Sequence, residues 1–139
     1  MVAMKKKLNF DWLHFTDSDI EVIRLHEDEL ELLVINLLAF DVEKQEIVDE
    51  YEKLYFKFIG VSKSVRHIIP YASGRYVNKF LPPIDICDID NGLPSKQRFE
   101  LEGVLVEPLS WIGSWVIECE RVEVCDVDGL NLEVVLNTF

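Results

Sequence analysis

Residues 114–138 read SWVIECERVEVCDVDGLNLEVVLNT and contain the clearest structural signal of the chain. From residue 130 onward, apolar residues at every second position alternate with mostly polar neighbours, which is the pattern of a half-buried β-strand. The Asp128-Gly129 pair before it is a favoured hairpin turn. We therefore predict a hairpin of two strands, Ser114–Cys125 and Leu130–Thr138, joined by a turn at residues 126–129.

The first strand of this hairpin changes the phase of its apolar alternation. Its apolar residues occupy odd positions before residue 120 and even positions after it: Trp115, Ile117 and Cys119, then Val122 and Val124. One extra residue in a strand moves all later side chains to the opposite face. We therefore expect a β-bulge near Glu120-Arg121.

Further strands are predicted along the chain. A second hairpin is expected from Asp19–Leu25 and Leu30–Leu38, with its polar turn at residues 26–29. The alternation in Arg98–Glu107 also predicts a strand. Tyr51–Ile59 fits either a strand or a helical face, and its aromatic residues favour a strand.

Other segments are less regular. Asp41–Glu50 is predicted to be a loop or one short helix, and residues 108–113, which include Trp111, a connection between strands. We predict one domain over residues 1–139, with an N-terminal lead-in at 1–15. Residues 61–95 are interpreted as an irregular, basic and proline-rich connection with room for a short helix at 62–68.

Together these patterns predict a mainly β fold. We expect an antiparallel sandwich or half-open barrel of about six or more strands, with at most one or two short helices. The strands are separated mostly by short turn-forming segments, and sustained helical periodicity is rare.

Charge is distributed unevenly along the chain. The formal net charge is -12, yet residues 61–80 contain four basic side chains and no acidic one. The flanking segments 1–60 and 81–139 carry -7 and -9. Nucleic-acid binding draws most of its affinity from Lys and Arg, so we do not expect a nucleic-acid partner. An acidic surface instead favours a basic protein partner.

The basic segment has two interpretations. In the first, it holds a small anionic ligand, because aromatic side chains interleave with cations; the ligand-binding residues are then Arg66, Arg75, Lys79 and Tyr76. In the second, the segment packs against the acidic strands of the same chain and reduces self-repulsion. We favour the second, because four positive charges are few for a polyanion site.

No catalytic or metal-binding motif is apparent in the sequence. The three histidines lie far apart, and neither a nucleophile motif nor a phosphate-binding glycine loop occurs. Residues 85–92 depart from the calcium-loop pattern and are interpreted as a turn of acids. We predict no metal and no cofactor. A binding protein is favoured over an enzyme, and an enzyme domain using the basic segment stays an alternative.

The cysteines and the hydropathy predict the cellular localisation of the protein. Cys87, Cys119 and Cys125 are odd in number and form no CxxC pair, which predicts free thiols and a reducing compartment. The basic residues 5–7 are not followed by the apolar core of a signal peptide. The apolar run Leu30–Phe40 is too short to cross a membrane. We expect a cytoplasmic protein with no membrane contact.

Two short motifs resemble those of small uncharacterised bacterial β domains. His14–Ile20 (HFTDSDI), followed by Ile23 and Leu30–Ile35, resembles their opening strands, and Leu54–Val61 (LYFKFIGV) resembles the strand that often follows. Several such domains are similar to immunity proteins found beside bacterial toxins. The resemblance covers about the first 60 residues. It implies a β fold and a toxin partner, and it carries over no catalytic residue.

The leading hypothesis is a non-enzymatic protein that offers an acidic surface to a protein partner, such as a basic toxin. Acidic side chains would steer the encounter and an exposed aromatic residue would anchor it. The candidate partner-binding residues are Glu27, Asp28, Glu29, Trp111, Glu118, Glu120 and Glu123. A further alternative is a structural domain that forms a homodimer through an exposed strand edge.

Overall fold

The computed structural model of the chain describes residues 6–135, and of Lys6 only the backbone. Within these described residues, the helical content is one 3₁₀ turn, Phe10–Trp12. The strands in chain order are β1 Lys6–Asn9, β2 Leu13–His14, β3 Asp19–His26, β4 Glu29–Asp41, β5 Glu46–Ile59, β6 Lys63–Ser73, β7 Asn78–Phe80, β8 Ile84–Asp90, β9 Gln97–Leu105, β10 Ser110–Cys119, β11 Arg121–Asp126 and β12 Asn131–Val135. The predicted mainly β class is confirmed.

Among residues 6–135, the strands form one mixed sheet that does not close. Their order is β1-β12-β11-β5-β4-β3-β9-β10-β6-β7, with β2 pairing β4 beyond the end of β3 and β8 pairing β6 beside β7. Most neighbours are antiparallel, but β1 runs parallel to β12 and β3 runs parallel to β9. The expected antiparallel arrangement therefore holds for most neighbouring strands but not for these two pairs, whose members lie far apart in the chain.

The sheet bends around a core of aliphatic and aromatic side chains. Phe58 on β5 and Phe99 on β9 are three strand positions apart, which would separate them by about 14 Å in a flat sheet. Their ring centroids lie 5.4 Å apart. Phe10 from the 3₁₀ turn packs on the same ring of Phe99, at 4.7 Å. One face of the sheet, the inner face, is thus folded onto itself, and the opposite face is called the outer face below.

Asn36 changes which side chains of β4 are buried. Leu32 and Val34 are fully buried before it, and Leu37 and Ala39 are buried after it, so the alternation shifts by one residue. Asn36 has a φ of 60°, a left-handed conformation that Asn tolerates better than most residues. This single residue lets β4 bury apolar side chains along its whole length.

Both predicted hairpins are present. β3 and β4 pair antiparallel around the turn at residues 27–28, and β11 pairs β12 after the Asp-Gly turn. Tyr51–Ile59 lies within β5, so the strand interpretation is confirmed. The end of the last predicted strand, residues 136–138, lies outside the described residues. Asp41–Glu50 is neither a helix nor only a loop, because β5 already begins at Glu46 and extends the hairpin with β4.

The predicted strand Ser114–Cys125 is two strands. β10 ends at Cys119 and pairs with β9 and β6, whereas β11 begins at Arg121 and pairs with β5 and β12. The phase change at residue 120 marks the point where β10 ends and β11 begins with different partner strands. It is not the β-bulge that we expected. β10 also begins earlier than predicted, so Trp111 and Gly113 lie in a strand and not in a connection.

Residues 61–95 are mostly extended, and the predicted short helix at 62–68 is wrong. β6 lies between β10 on one side and β8 and β7 on the other. On one side, β6 pairs with β8 as far as Ile68 and with β7 from Tyr71 onward. Pro70 lies between these two paired stretches. A proline, which lacks the backbone N–H, interrupts no regular ladder there. Pairing with distant strands therefore overrides the local turn-forming composition.

Candidate functional site

Arg66 takes part in an internal ion pair. Its Nη2 donates a hydrogen bond to Oδ1 of Asp88 at 3.0 Å, and its Nε lies 3.0 Å from Oδ2 outside hydrogen-bonding geometry. The two side chains are only 12% and 10% exposed. The guanidinium also lies 4.9 Å from the centroid of the fully buried Trp115 ring. The cation is therefore already paired inside the fold.

Ser64 completes this buried network. The indole Nε1 of Trp115 donates to the Ser64 hydroxyl at 2.9 Å, and that hydroxyl donates to Asp88 Oδ2 at 3.3 Å. The acidic run that includes Asp88 is strand β8, so the interpretation of residues 85–92 as a turn is wrong for residues up to 90. Register places Asp85 opposite His67, and the His67 Nδ1 lies 2.6 Å from Asp85 Oδ1.

The other predicted ligand residues lie on the β6–β7 hairpin, away from Arg66. Arg75 and Tyr76 are exposed in its loop, with the Arg75 guanidinium 5.5 Å from the centroid of the Tyr76 ring. Lys79 is exposed on β7. Within residues 6–135, neither Arg75 nor Lys79 forms an ion pair. The structure thus separates the predicted set into one internal cation and an exposed cationic hairpin.

Trp111 lies beside this hairpin on the outer face. It pairs with Ile69 of β6 and Val104 of β9, and it is half-buried. A cavity of about 240 Å³, called the aromatic slot below, is lined by Tyr71, Phe80, Val104, Leu109, Ser110 and Trp111. Trp111 is therefore at the opposite end of β10 from Glu118, and it does not lie next to the predicted acidic residues.

Most of the predicted acidic residues converge at one end of the sheet. The backbone N–H of Val61 donates to the carbonyl of Asp28 at 2.8 Å, and that of Ser62 donates to the carbonyl of Glu118 at 2.8 Å. The N–H of Glu120 donates to the carbonyls of Ile59 and Gly60 at 3.0 and 3.1 Å. Residues 59–62 thereby bring the turn at 27–29 next to the β10–β11 junction. This end is called the acidic end below.

Several of these acids have cationic neighbours. The Lys57 Nζ lies 3.8 Å from carboxylate oxygens of both Glu29 and Glu31. Glu120 pairs with Lys96 at 2.8 Å, and this hydrogen bond and charge raise the pKa of the Lys96 amine. Glu123 accepts from Arg121 at 2.8 Å. By contrast, Asp28 and Glu118 have no ion pair among the described residues.

The outer face next to the acidic end contains a groove that sequence analysis did not identify. Its volume is about 270 Å³, and its outer-face lining combines apolar and charged side chains: Ile23, Tyr55, Cys125, Glu31, Lys57 and Glu123. Register aligns Glu31, Lys57 and Glu123 in one row across β4, β5 and β11. This groove is called the acidic groove below. Alternation marks Tyr55 as an outer-face residue, but only the sheet order places it in the same groove as Ile23.

Cysteine and histidine side chains form neither a disulfide nor a metal-binding group within residues 6–135. All three cysteines are free: Cys87 is exposed, Cys125 is intermediate and Cys119 is buried. Burial raises the pKa of the Cys119 thiol to about 12, and it also raises the pKa of Cys125. Among residues 6–135, no group of three or more His, Cys, Asp and Glu side chains is arranged to hold a metal ion.

The described helical content is a single short turn, so no described helix is long and apolar enough to cross a membrane.

Comparison of the chain with protein-family models, with curated proteins and with solved structures gives no match in any of the three.

Proposed function

We propose that this chain is a non-enzymatic protein-binding domain that receives a basic partner at the acidic end and the adjacent acidic groove. The observation that carries the proposal is the convergence of Asp28, Glu118 and Glu120, which come from distant parts of the chain and meet at residues 59–62. Clustered charge of one sign steers an oppositely charged partner and raises the association rate.

The acidic groove supplies what an acidic surface lacks on its own, an apolar contact at its centre. Tyr55 and Ile23 are 38% and 47% exposed. They lie beside a row of charged side chains, and an apolar centre with a polar rim is the usual anatomy of a protein interface. Tyrosine is enriched among residues that dominate binding energy. Tyr55 therefore replaces Trp111 as the proposed anchor for the basic partner.

We extend the proposal to the shape of the sheet and to the class of partner. We propose that the bent, open sheet is a half-open barrel and that the partner is a basic bacterial toxin, with this chain acting as its immunity protein. The support is the resemblance of His14–Ile20 and Leu54–Val61 to the opening strands of such domains. Arg66 is already paired with Asp88. The alternative function, an anion site within residues 61–80, would therefore use Arg75, Lys79 and Tyr76.

A co-expression experiment tests the immunity proposal. The gene adjacent to the one encoding this chain is expressed in a host cell, alone and together with this chain. We expect growth inhibition by the neighbour alone and restored growth with the wild-type chain. The Tyr55→Ala variant and a Glu118→Lys/Glu120→Lys double variant should restore growth poorly, whereas Phe80→Ala in the aromatic slot should restore it fully.

A second experiment uses this chain and the neighbouring protein in purified form. The association rate of the two proteins is measured at increasing salt concentration, and it should fall steeply because salt screens exposed charges. An association rate that salt leaves unchanged, or binding that Tyr55→Ala does not weaken, contradicts the proposed surface. A non-toxic neighbour contradicts the immunity role.

A further inference from the structure

The aromatic slot is lined almost entirely by apolar side chains although it opens on the outer face. Phe80 on one wall is 61% exposed, and Leu109 is also exposed. Three of the lining residues are aromatic: Tyr71, Phe80 and Trp111. An exposed apolar patch that includes Trp and Tyr is typical of a surface that a partner covers.

The walls of the slot are held in place before any partner binds. The rings of Tyr71 and Phe80 meet edge to face with centroids 5.1 Å apart, across directly paired positions of β6 and β7. The Tyr71 hydroxyl donates a hydrogen bond to the side-chain oxygen of Asn78. The backbone of Trp111 is fixed by its pairing with β9 and β6 on either side. Preformed walls lower the entropic cost of binding.

The size of the slot favours a side chain over a free small molecule. Its volume of about 240 Å³ lies below the range of roughly 300–1,000 Å³ that is usual for small-molecule sites. One large apolar side chain of a partner can occupy such a space, with the rest of the partner lying across the surface around it.

Charge indicates the sequence that would surround this side chain. Residues 71–81 contain Arg75 and Lys79 and no acidic residue, in a chain of net charge -12. Neither cation has an ion pair within the described part of the chain, whereas Arg66, Arg98 and Arg121 all do. The hairpin that forms one wall of the slot is thus locally positive and complements a negatively charged partner.

We propose that the aromatic slot docks a protein segment that inserts one large apolar side chain and carries acidic residues next to it. This surface is distinct from the proposed toxin-binding surface, because it lies at the other end of β10 and is bordered by the cationic β6–β7 hairpin. The chain would therefore bind two different partners, a basic one at the acidic groove and an acidic one at the slot.

A displayed random-peptide library tests the proposal with the full chain immobilised. We expect enriched peptides to combine one aromatic or large aliphatic residue with neighbouring Asp or Glu. The affinity of a synthetic copy is then measured by fluorescence anisotropy. Phe80→Ala should weaken binding by about tenfold or more, as expected for a residue that dominates an interface. An Arg75→Glu/Lys79→Glu variant should weaken binding and remove most of its salt dependence.

The controls separate this surface from the acidic groove and from misfolding. Tyr55→Ala should bind the peptide with unchanged affinity, and circular dichroism should show that Phe80→Ala keeps the wild-type fold. The proposal is overturned if no peptide is enriched, if the enriched peptides are basic, or if Phe80→Ala binds as well as wild type. Tight binding of single-stranded oligonucleotides or anionic lipid vesicles that displaces the peptide would also overturn it, in favour of a polyanion site.

Discussion

The guanidinium of Arg66 on β6 is paired with the carboxylate of Asp88 on β8, with Nη2 and Oδ1 3.0 Å apart. Because β8 has no other strand beside it among the described residues, this ion pair and its ladder with β6 hold an edge of the sheet. The Arg66 guanidinium also lies over the ring of Trp115. A cation from the basic segment and an acid from the following acidic run thus neutralise each other inside the fold.

Asp88→Asn should destabilise the protein strongly. The substitution keeps the shape of the side chain but leaves the nearly buried Arg66 charge without a counter-ion, which typically costs about 3 kcal/mol. The free energy of unfolding in urea measures the loss. Asp85→Asn is the matched control, because Asp85 pairs with His67 on the same two strands but is 74% exposed; its effect should stay below about 0.5 kcal/mol. Equal losses in the two variants would contradict a structural role for the buried pair.

Ser64→Ala should cost about 2 kcal/mol, because it leaves the buried indole N–H of Trp115 without an acceptor. Ser114→Ala, at an exposed position of β10, is the control and should change stability little. Thermal or urea unfolding gives both values. If Ser64→Ala proved as stable as Ser114→Ala, the indole hydrogen bond would contribute nothing measurable.

Gly103→Ala should be among the more damaging substitutions. Gly103 has a φ of +149°, and an added Cβ would lie 2.5 Å from the backbone oxygen of Phe15 and 3.1 Å from that of Ser18. Backbone atoms cannot move aside cheaply, so we expect a loss of about 3 kcal/mol. Gly74→Ala is the control, because no atom outside its two chain neighbours lies within 4 Å of its added Cβ. A stable Gly103→Ala protein would mean that β9 and the Phe15–Ser18 segment are less closely packed than described.

The thiols of Cys87 and Cys119 should differ sharply in reactivity. Cys87 is exposed and should react with a disulfide reagent such as DTNB in the native protein, whereas Cys119 is buried with a raised pKa and should react only after unfolding. Mass spectrometry of the labelled protein identifies the modified residues. Rapid native labelling of Cys119 would show that the core beside it opens readily.

Stability should fall at alkaline pH in part because of Cys119. The pKa of its thiol is about 12 in the folded protein against 9.0 as the ordinary value. Between these values the unfolded chain has lost the proton that the folded chain keeps, so the free energy of unfolding falls as pH rises from about 9 towards 12. Cys119→Ala should make this alkaline decline shallower, whatever its effect at neutral pH. The decline is measured by urea unfolding at several pH values, and an unchanged slope would contradict the raised pKa.

Local pattern was sufficient for the hairpins but not for the strands that pair over long distances. The turns at 26–29 and 126–129 and the alternation beside them are properties of a few consecutive residues, and both hairpins are present. The segment 61–95 is rich in turn-forming residues, yet β6 and β8 form there because β10 supplies a pairing edge, and its residues pair with β6 residues that lie 40 to 55 positions earlier in the chain. No short window of sequence contains that edge.

The sequence by itself determined a mainly β chain, its two hairpins, the charge asymmetry and which residue types could meet a partner. Only the tertiary structure decided how those residues are grouped. It paired Arg66 with Asp88, placed Trp111 with Tyr71 and Phe80 instead of with the acids, and brought Asp28 beside Glu118 and Glu120. The physical reason is that side-chain alternation and turns are short-range properties, whereas the order of strands depends on burying one shared core.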